Sequence, residues 1–267
     1  TRMKQSEYDM KQEAKIYEQI IFCQSKICNT IINEASLELD LDNYSDMEII
    51  NNCLILKQDS YPDEQLNKNT IKYVFAPNLR QIEAQMFNNF QNLELIYCPS
   101  VEQIKDEQFN DNGAFTGCYA LKEICLSRIN SIPDNTFQNC TSLSKVSIPF
   151  CKEIGGLAFD NCCSLRQVYF YYLTLINDCA FLNCTALKDV RFPEVRTIKY
   201  SAFSNCINLS SVEMPKLESI GDSVFRGCSE LTCLNLFGLV KSGECAFQNC
   251  SKLSYIDFGQ IQEIPDK

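Results

Sequence analysis

The sequence predicts an α/β repeat solenoid in which every 22-residue repeat contributes one short parallel strand and one helical turn. Seven phenylalanines recur at this period from Phe115 to Phe247, and each is followed by a cysteine three residues later and a leucine six residues later. Two apolar residues at spacing two follow each leucine, as in Val146 and Ile148. A fixed period of this length is typical of stacked coils, because one coil cannot bury its apolar face alone.

The apolar pairs predict the strand of each repeat. Alternation of apolar and polar residues along a short run is the pattern of a strand with one face in the core. The residue between the two apolar ones, such as Tyr169 between Val168 and Phe170, is therefore expected on the exposed face. Stacking the repeats places these strands side by side in a parallel sheet.

The residue before each repeated cysteine predicts where the helical turn ends. It is Asn or Gly in every repeat, as at Gly117, Asn139 and Asn161. Both residue types tolerate a positive φ, so we expect a left-handed residue at this position. Pro133, upstream in the same repeat, marks a possible first helical turn.

Two regions are predicted along the chain. Residues 1–60 lack the repeat and combine a helix, whose apolar face would include Ala14, Tyr17 and Ile21, with an exposed strand around Leu37. They are expected to cap the first repeat. Residues 61–267 form the solenoid, with about eight to nine repeats and an insertion near residues 110–115. Because the next phenylalanine would fall just after Lys267, we interpret the chain as a fragment.

Composition narrows the classes of function. The chain has no histidine, which removes the common catalytic triads and histidine-containing zinc sites. Its net charge of -10 argues against nucleic acid as a partner, and no apolar run is long enough for membrane insertion within this segment. We therefore predict no enzyme activity, no cofactor and no metal.

Seventeen cysteines raise the question of disulfide or metal chemistry. Seven of them, from Cys118 to Cys250, share one repeat position, where a small buried thiol packs well and is inert. No CxxC motif is present, so a structural zinc site is not expected. Many thiols without a disulfide framework favour a reducing compartment.

Triplets such as Asn139-Cys140-Thr141 match the glycosylation pattern, and we interpret them as by-products of the turn.

The repeated Ala-Phe-x-Asn-Cys block, followed by Leu143-x-x-Val146-x-Ile148-Pro149, resembles the BspA-like leucine-rich repeats. The resemblance covers about residues 71–267 and implies a leucine-rich-repeat arc. Members of this family occur on bacterial and protist surfaces, where they are linked to adhesion, and cytosolic members also exist. The resemblance thus implies a protein-binding surface scaffold. It carries over no catalytic residues, and it leaves the cytoplasm as the alternative location.

The candidate site is the exposed sheet face with its neighbouring aromatic residues. Tyrosine and arginine are enriched where proteins bind one another, and several stand at positions that the repeat leaves free. The alternative is that these aromatic side chains only stabilise neighbouring strands. The protein-binding candidates are Lys145, Ser147, Tyr169, Tyr171, Tyr172, Arg191, Glu213, Asn235 and Asp257.

Two other functions remain open from the sequence. The repeats could pack laterally as an intracellular scaffold or as a subunit of a larger assembly. They could also be a repeat domain attached to an enzyme that lies beyond these residues.

Overall fold

A computed structural model describes residues 2–38, 45–57, 66–106 and 112–258, with side chains from Ala14 onward. The helix α1 (Arg2–Ala35) precedes a long series of short strands. In chain order the strands are β1 (Met47–Ile50), β2 (Cys53–Leu56), β3 (Tyr73–Phe75), β4 (Gln81–Ile82), β5 (Leu95–Tyr97), β6 (Gln103–Ile104), β7 (Glu123–Cys125), β8 (Ser131–Ile132), β9 (Lys145–Ser147), β10 (Glu153–Ile154), β11 (Gln167–Tyr169), β12 (Leu175–Ile176), β13 (Asp189–Arg191), β14 (Thr197–Ile198), β15 (Ser211–Glu213), β16 (Ser219–Ile220), β17 (Cys233–Asn235), β18 (Lys241–Ser242) and β19 (Tyr255–Asp257).

The strands form two rows, which confirms a solenoid of stacked parallel strands. In the main row, β1–β2–β3–β5–β7–β9–β11 are hydrogen-bonded in one sheet, and the pairs β13–β15 and β17–β19 follow. The second row holds the pair β4–β6 and the six-stranded sheet from β8 to β18. Val146 pairs with Val168, so equivalent residues of successive repeats lie side by side. The second row was not predicted from the sequence.

The predicted helical turn in each repeat is wrong. Residues 134–139 form consecutive turns, and two of them, Asn135 and Asn139, have positive φ. The N–H groups of Asn135, Phe137 and Asn139 donate to carbonyls of the next coil, at Gly156, Ala158 and Asp160. These donors are therefore not available for the i→i−4 bonds of a helix. The expected left-handed residue before the cysteine is confirmed, and the second one, four residues earlier, was missed.

The phenylalanines form one continuous column in the core, which we call the phenylalanine column. It runs from Phe87 to Phe247, with neighbouring ring centroids 5.1–5.8 Å apart. Phe87 stacks on Phe115 although 28 residues separate them, so the six additional residues of this coil lie between its two ends. Part of the predicted insertion, residues 107–111, falls outside the described residues.

Helix α1 lies across the outward face of the main row, on the side away from the phenylalanine column. Near one end, Asn51 donates a hydrogen bond to the Ala35 carbonyl beside β2, and further along Gln19 accepts one from Tyr171 just after β11. The 16 residues between them span about 24 Å of helix. Five strand spacings from β2 to β11 also span about 24 Å. The helix therefore passes over one strand of the main row about every three helix residues.

The helix itself was predicted, but part of its apolar face was not. Ile16, Ile20, Cys23, Ile27, Ile31 and Ala35 are buried. Tyr17 and Ile21, predicted on the apolar face, are 54% and 64% exposed. The strand β1 pairs antiparallel with β2 at the first edge of the sheet. The predicted exposed strand is wrong at Leu37, which directly follows α1 and is buried in the core beneath it. The predicted boundary at residue 60 and the residues Leu39 and Leu41 lie outside the described ranges.

Candidate functional site

The outward face of the main row has a covered part and an open part. The covered part extends from β2 to β9 beneath α1, where Ile55, Phe75 and Cys125 are buried in a small core separate from that of the solenoid. The open part consists of β13, β15, β17 and β19, whose outward residues are mostly polar. Apolar outward residues thus occur on the strands that α1 covers. Their apolar character in the sequence could have indicated that another segment covers them.

Two polar contacts fix α1 over β7. Lys26 forms an ion pair with Glu123 at 2.5 Å, and Gln24 donates a hydrogen bond to Ser127 at 3.1 Å. Cys23 of the helix and Cys125 of β7 belong to the same small core between α1 and the sheet. The hydrogen bond from Cys125 lowers the pKa of the Cys23 thiol, and the positive charge of Lys145 lowers it further. Lys145 itself is half-buried.

Ser147 belongs to the covered part and is only 6% exposed. The expectation that every residue between the apolar pairs lies on an exposed face is therefore wrong for Ser147 and for Cys125. The cause is tertiary, because the side chains point outward from the sheet as predicted but α1 lies over them. A partner could reach them only after displacing the helix.

The tyrosines lie at the rim, where α1 leaves the sheet. The Tyr17 ring lies 5.8 Å from that of Phe150, which in turn stacks on Tyr172 at 5.8 Å. The Tyr171 hydroxyl donates to Gln19 at 2.8 Å, and burial raises the pKa of this phenol. Tyr169 is half-buried. The helix therefore occupies part of the predicted aromatic patch.

The remaining candidate residues lie together on the open part. Arg191 and Glu213 form an ion pair at 3.3 Å, with side chains 74% and 55% exposed. Asn235 is exposed on the next strand, and Asp257 accepts a hydrogen bond from the Tyr255 hydroxyl at 3.2 Å. Because Arg191 and Glu213 are this exposed, α1 does not cover β13 and β15.

The repeated cysteines form a structural column in the core. The Cys162 thiol donates to the Phe137 carbonyl of the preceding coil at 3.2 Å, and the same contact recurs from Cys118 to Cys250. Burial raises the pKa of Cys206 to about 12, so this thiol stays protonated and able to donate. The prediction that the column packs in the core is confirmed, with Cys250 only partly buried at the end of the array.

A column of asparagine amides was missed by the sequence reading. Asn161 donates to Asn139, Asn183 to Asn161 and Asn205 to Asn183, at 3.0–3.1 Å. The amide of Asn183, which belongs to a glycosylation triplet, is therefore engaged within the solenoid. At Gly227 the column stops, because glycine has no side-chain amide that could donate to Asn205.

Within the described parts of the chain, no group of three or more His, Cys, Asp or Glu could hold a metal ion. The same residues include no helix that is long and apolar enough to span a membrane.

Comparison with known proteins gives a family match over most of the chain. The model of the BspA type leucine rich repeat region matches six copies, over residues 12–113, 67–172 and 152–267. The match is to a leucine-rich-repeat region, and the family model shows no catalytic family. None of the curated proteins compared with the chain matches it.

Several solved structures are similar. The leucine rich repeat protein of Treponema pallidum is 22% identical, with a TM-score of 0.49, over 82% of this chain and 91% of that one. A leucine rich cell surface protein of Faecalibacterium prausnitzii is 22% identical over 71% and 73%, with a TM-score of 0.34. A leucine-rich repeat protein of Bacteroides ovatus is 20% identical over 75% and 82%, with a TM-score of 0.27. With the family model matching nearly the whole solenoid, the chain belongs to the BspA-type leucine-rich-repeat family.

Proposed function

We propose that the protein is a non-enzymatic scaffold that binds a protein partner through the open part of the main row. The observation that carries this proposal is the change in outward side chains along the row. Under α1 most of them are apolar, whereas Arg191, Glu213 and Asn235 are polar and exposed. A surface that the chain leaves uncovered and polar suits a partner that binds and dissociates.

The aromatic rim extends the proposed binding surface. Tyr171 and Tyr172 are half-buried at the border between α1 and the open part. Tyrosine contributes large contact area at low entropic cost, and Arg191 is the main exposed cation of the adjoining strand. Family resemblance favours a role at the cell surface in adhesion. Nucleic acid is not proposed as a partner, since the net charge is -10.

The test compares two charge-neutral triple variants. Arg191→Ala/Glu213→Ala/Asn235→Ala removes the exposed groups of the open part. Its control, Arg196→Ala/Glu218→Ala/Ser219→Ala, removes another exposed ion pair, which lies beside the second row. We expect the first triple variant to lose most of the cell-surface or matrix binding measured for the intact chain, and the control to keep it. Equal binding by both variants would contradict the proposal.

A second candidate, an intracellular scaffold, is favoured by the thiols. All seventeen cysteines are free, and those of the column point at carbonyl oxygens and not at each other. Free thiols in this number persist best in a reducing compartment. Alkylation of the protein from its native cells, under non-reducing denaturation, distinguishes the candidates. Labelling of all seventeen thiols in protein recovered from the cytosolic fraction would favour the intracellular scaffold. Protein found at the cell surface would favour the surface-binding scaffold.

A further inference from the structure

A cleft of about 470 Å³ separates α1 from the first residues of β3, β5 and β7. Its apolar lining consists of Ile27 of the helix with Tyr73 and Leu95 of the sheet, and the other lining residues are polar or charged. Small-molecule sites are commonly concave, of a few hundred Å³, and combine an apolar floor with few polar groups. The cleft has the size of such a site but a more polar lining, and it lies away from the open part of the main row.

Six charged side chains line the cleft, and four of them are already paired. Lys26 pairs with Glu123, and Lys122 pairs with Glu94, both at 2.5 Å. Lys72 and Glu34 have no ion-pair partner among the described residues, although both line the same cleft. Lys72 stands on the sheet side of the cleft, and Glu34 stands on the helix side, where its charge acts on Lys122 and Tyr73.

Glu123 adds a third unmet group. Its Oε1 atom receives the Lys26 ammonium, but Oε2 is buried without a hydrogen-bond partner among the described residues. Leaving a buried acceptor unpaired costs stability, and such an atom in a cleft is satisfied by a donor that enters it. An ammonium group would both donate to Glu123 Oε2 and face the negative charge of Glu34.

We propose that this cleft binds a small zwitterion with an apolar body, of the amino-acid or short-peptide class. The ammonium of the ligand donates to Glu123 Oε2 and faces Glu34, and its carboxylate pairs with Lys72. The apolar body lies on Leu95, the least buried of the apolar lining residues. A neutral polyol would leave the charges of Lys72 and Glu34 without counterparts, so it fits less well. The site is independent of the proposed binding surface.

Calorimetric titration of the intact chain with the dipeptide Leu-Leu tests the proposal. N-acetyl-Leu-Leu lacks the ammonium and Leu-Leu-amide lacks the carboxylate, and we expect each to bind at least about tenfold more weakly than Leu-Leu, because each loses one charged hydrogen bond. A titration with leucine shows which ligand the cleft prefers. Tighter binding of leucine than of Leu-Leu indicates a free amino acid, and the reverse indicates a short peptide. Undetectable binding of both leucine and Leu-Leu at millimolar concentration would overturn the proposal, as would equal binding of Leu-Leu and its two capped forms.

Two variants then assign the contacts. Lys72→Met should weaken Leu-Leu about tenfold but leave Leu-Leu-amide unchanged, and Glu34→Gln should weaken the amide but not the N-acetyl form. The matched control Lys188→Met changes the lysine at the same repeat position on the open part, just before β13. If Lys188→Met weakened Leu-Leu as much as Lys72→Met does, the assignment to this cleft would be wrong. Circular dichroism of each variant confirms that it is folded.

Discussion

Replacing Phe181 by alanine tests whether the phenylalanine column holds the solenoid together. The Phe181 ring is fully buried and lies 5.1 Å from the rings of both Phe159 and Phe203, each at an interplanar angle of 7°. It also lies 6.3 Å from Phe192 of the neighbouring strand. The substitution therefore removes a ring that has aromatic contacts on three sides and leaves a cavity in the column. The stacked coils on either side limit how far the structure can relax into this cavity.

The expected cost is about 3–5 kcal/mol, the range for truncating a buried phenylalanine to alanine. Phe181→Leu retains most of the apolar volume and loses mainly the ring contacts, each worth about 0.5–1.5 kcal/mol, so we expect about 1–2 kcal/mol. Urea unfolding followed by circular dichroism measures both. Because coils contact only their neighbours, the weakened coil should also separate unfolding of the two halves into distinct steps.

Phe237→Ala is the matched control, because this ring is 62% exposed and lies outside the column. We expect it to change the free energy of unfolding by less than about 0.5 kcal/mol. The reasoning would be refuted if Phe181→Ala cost no more than Phe237→Ala. It would also be refuted if Phe181→Leu cost as much as Phe181→Ala, since the ring volume would then be irrelevant.

Three further predictions concern the coil around the asparagine amides. Cys162→Ala should cost about 1–2 kcal/mol in urea unfolding, because the Phe137 carbonyl loses its thiol donor, whereas exposed Cys163→Ala should be neutral. Leu157 has a φ of 56°, so Leu157→Asn should stabilise the chain by about 0.5–1 kcal/mol, and a lower melting temperature would contradict this. Burial raises the pKa of Asp160, so stability is lost as pH rises from the ordinary carboxyl pKa through the raised one. Asp160→Asn should remove this loss, seen as a flatter melting temperature between pH 4 and pH 8.

The architecture was predictable because it depends on residues that recur. The period placed the phenylalanines, the cysteines and the apolar pairs in the core, and the left-handed residue before each cysteine followed from Asn or Gly. The helical turn was predicted wrongly, because the backbone N–H groups of these turn residues can donate either within a helix or to carbonyls of the next coil. The residue types alone do not distinguish the two. Positions such as Leu157 and Cys179, also left-handed, gave no signal, because their residue types do not favour that conformation.

The candidate site was predicted less completely. Arg191, Glu213 and Asn235 lie side by side on exposed strands, as their shared repeat position required. Tyr171 and Ser147 were expected on the same open surface, yet one hydrogen-bonds to Gln19 and the other lies beneath α1. Nothing in a local pattern says which distant segment covers a strand, although the apolar outward residues Ile55 and Phe75 indicated that something would.

The sequence by itself determined the repeat, its strand, its core columns and its family, because each of these depends on spacings of a few residues or on one constant period. Only the tertiary structure decided where α1 lies, and with it the covered and open parts of the main row and the cleft between Glu34 and Lys72. Those features depend on contacts between residues more than one hundred positions apart, such as Gln24 with Ser127 and Gln19 with Tyr171. Such contacts are selected by the packing of whole elements and leave no periodic trace in the chain.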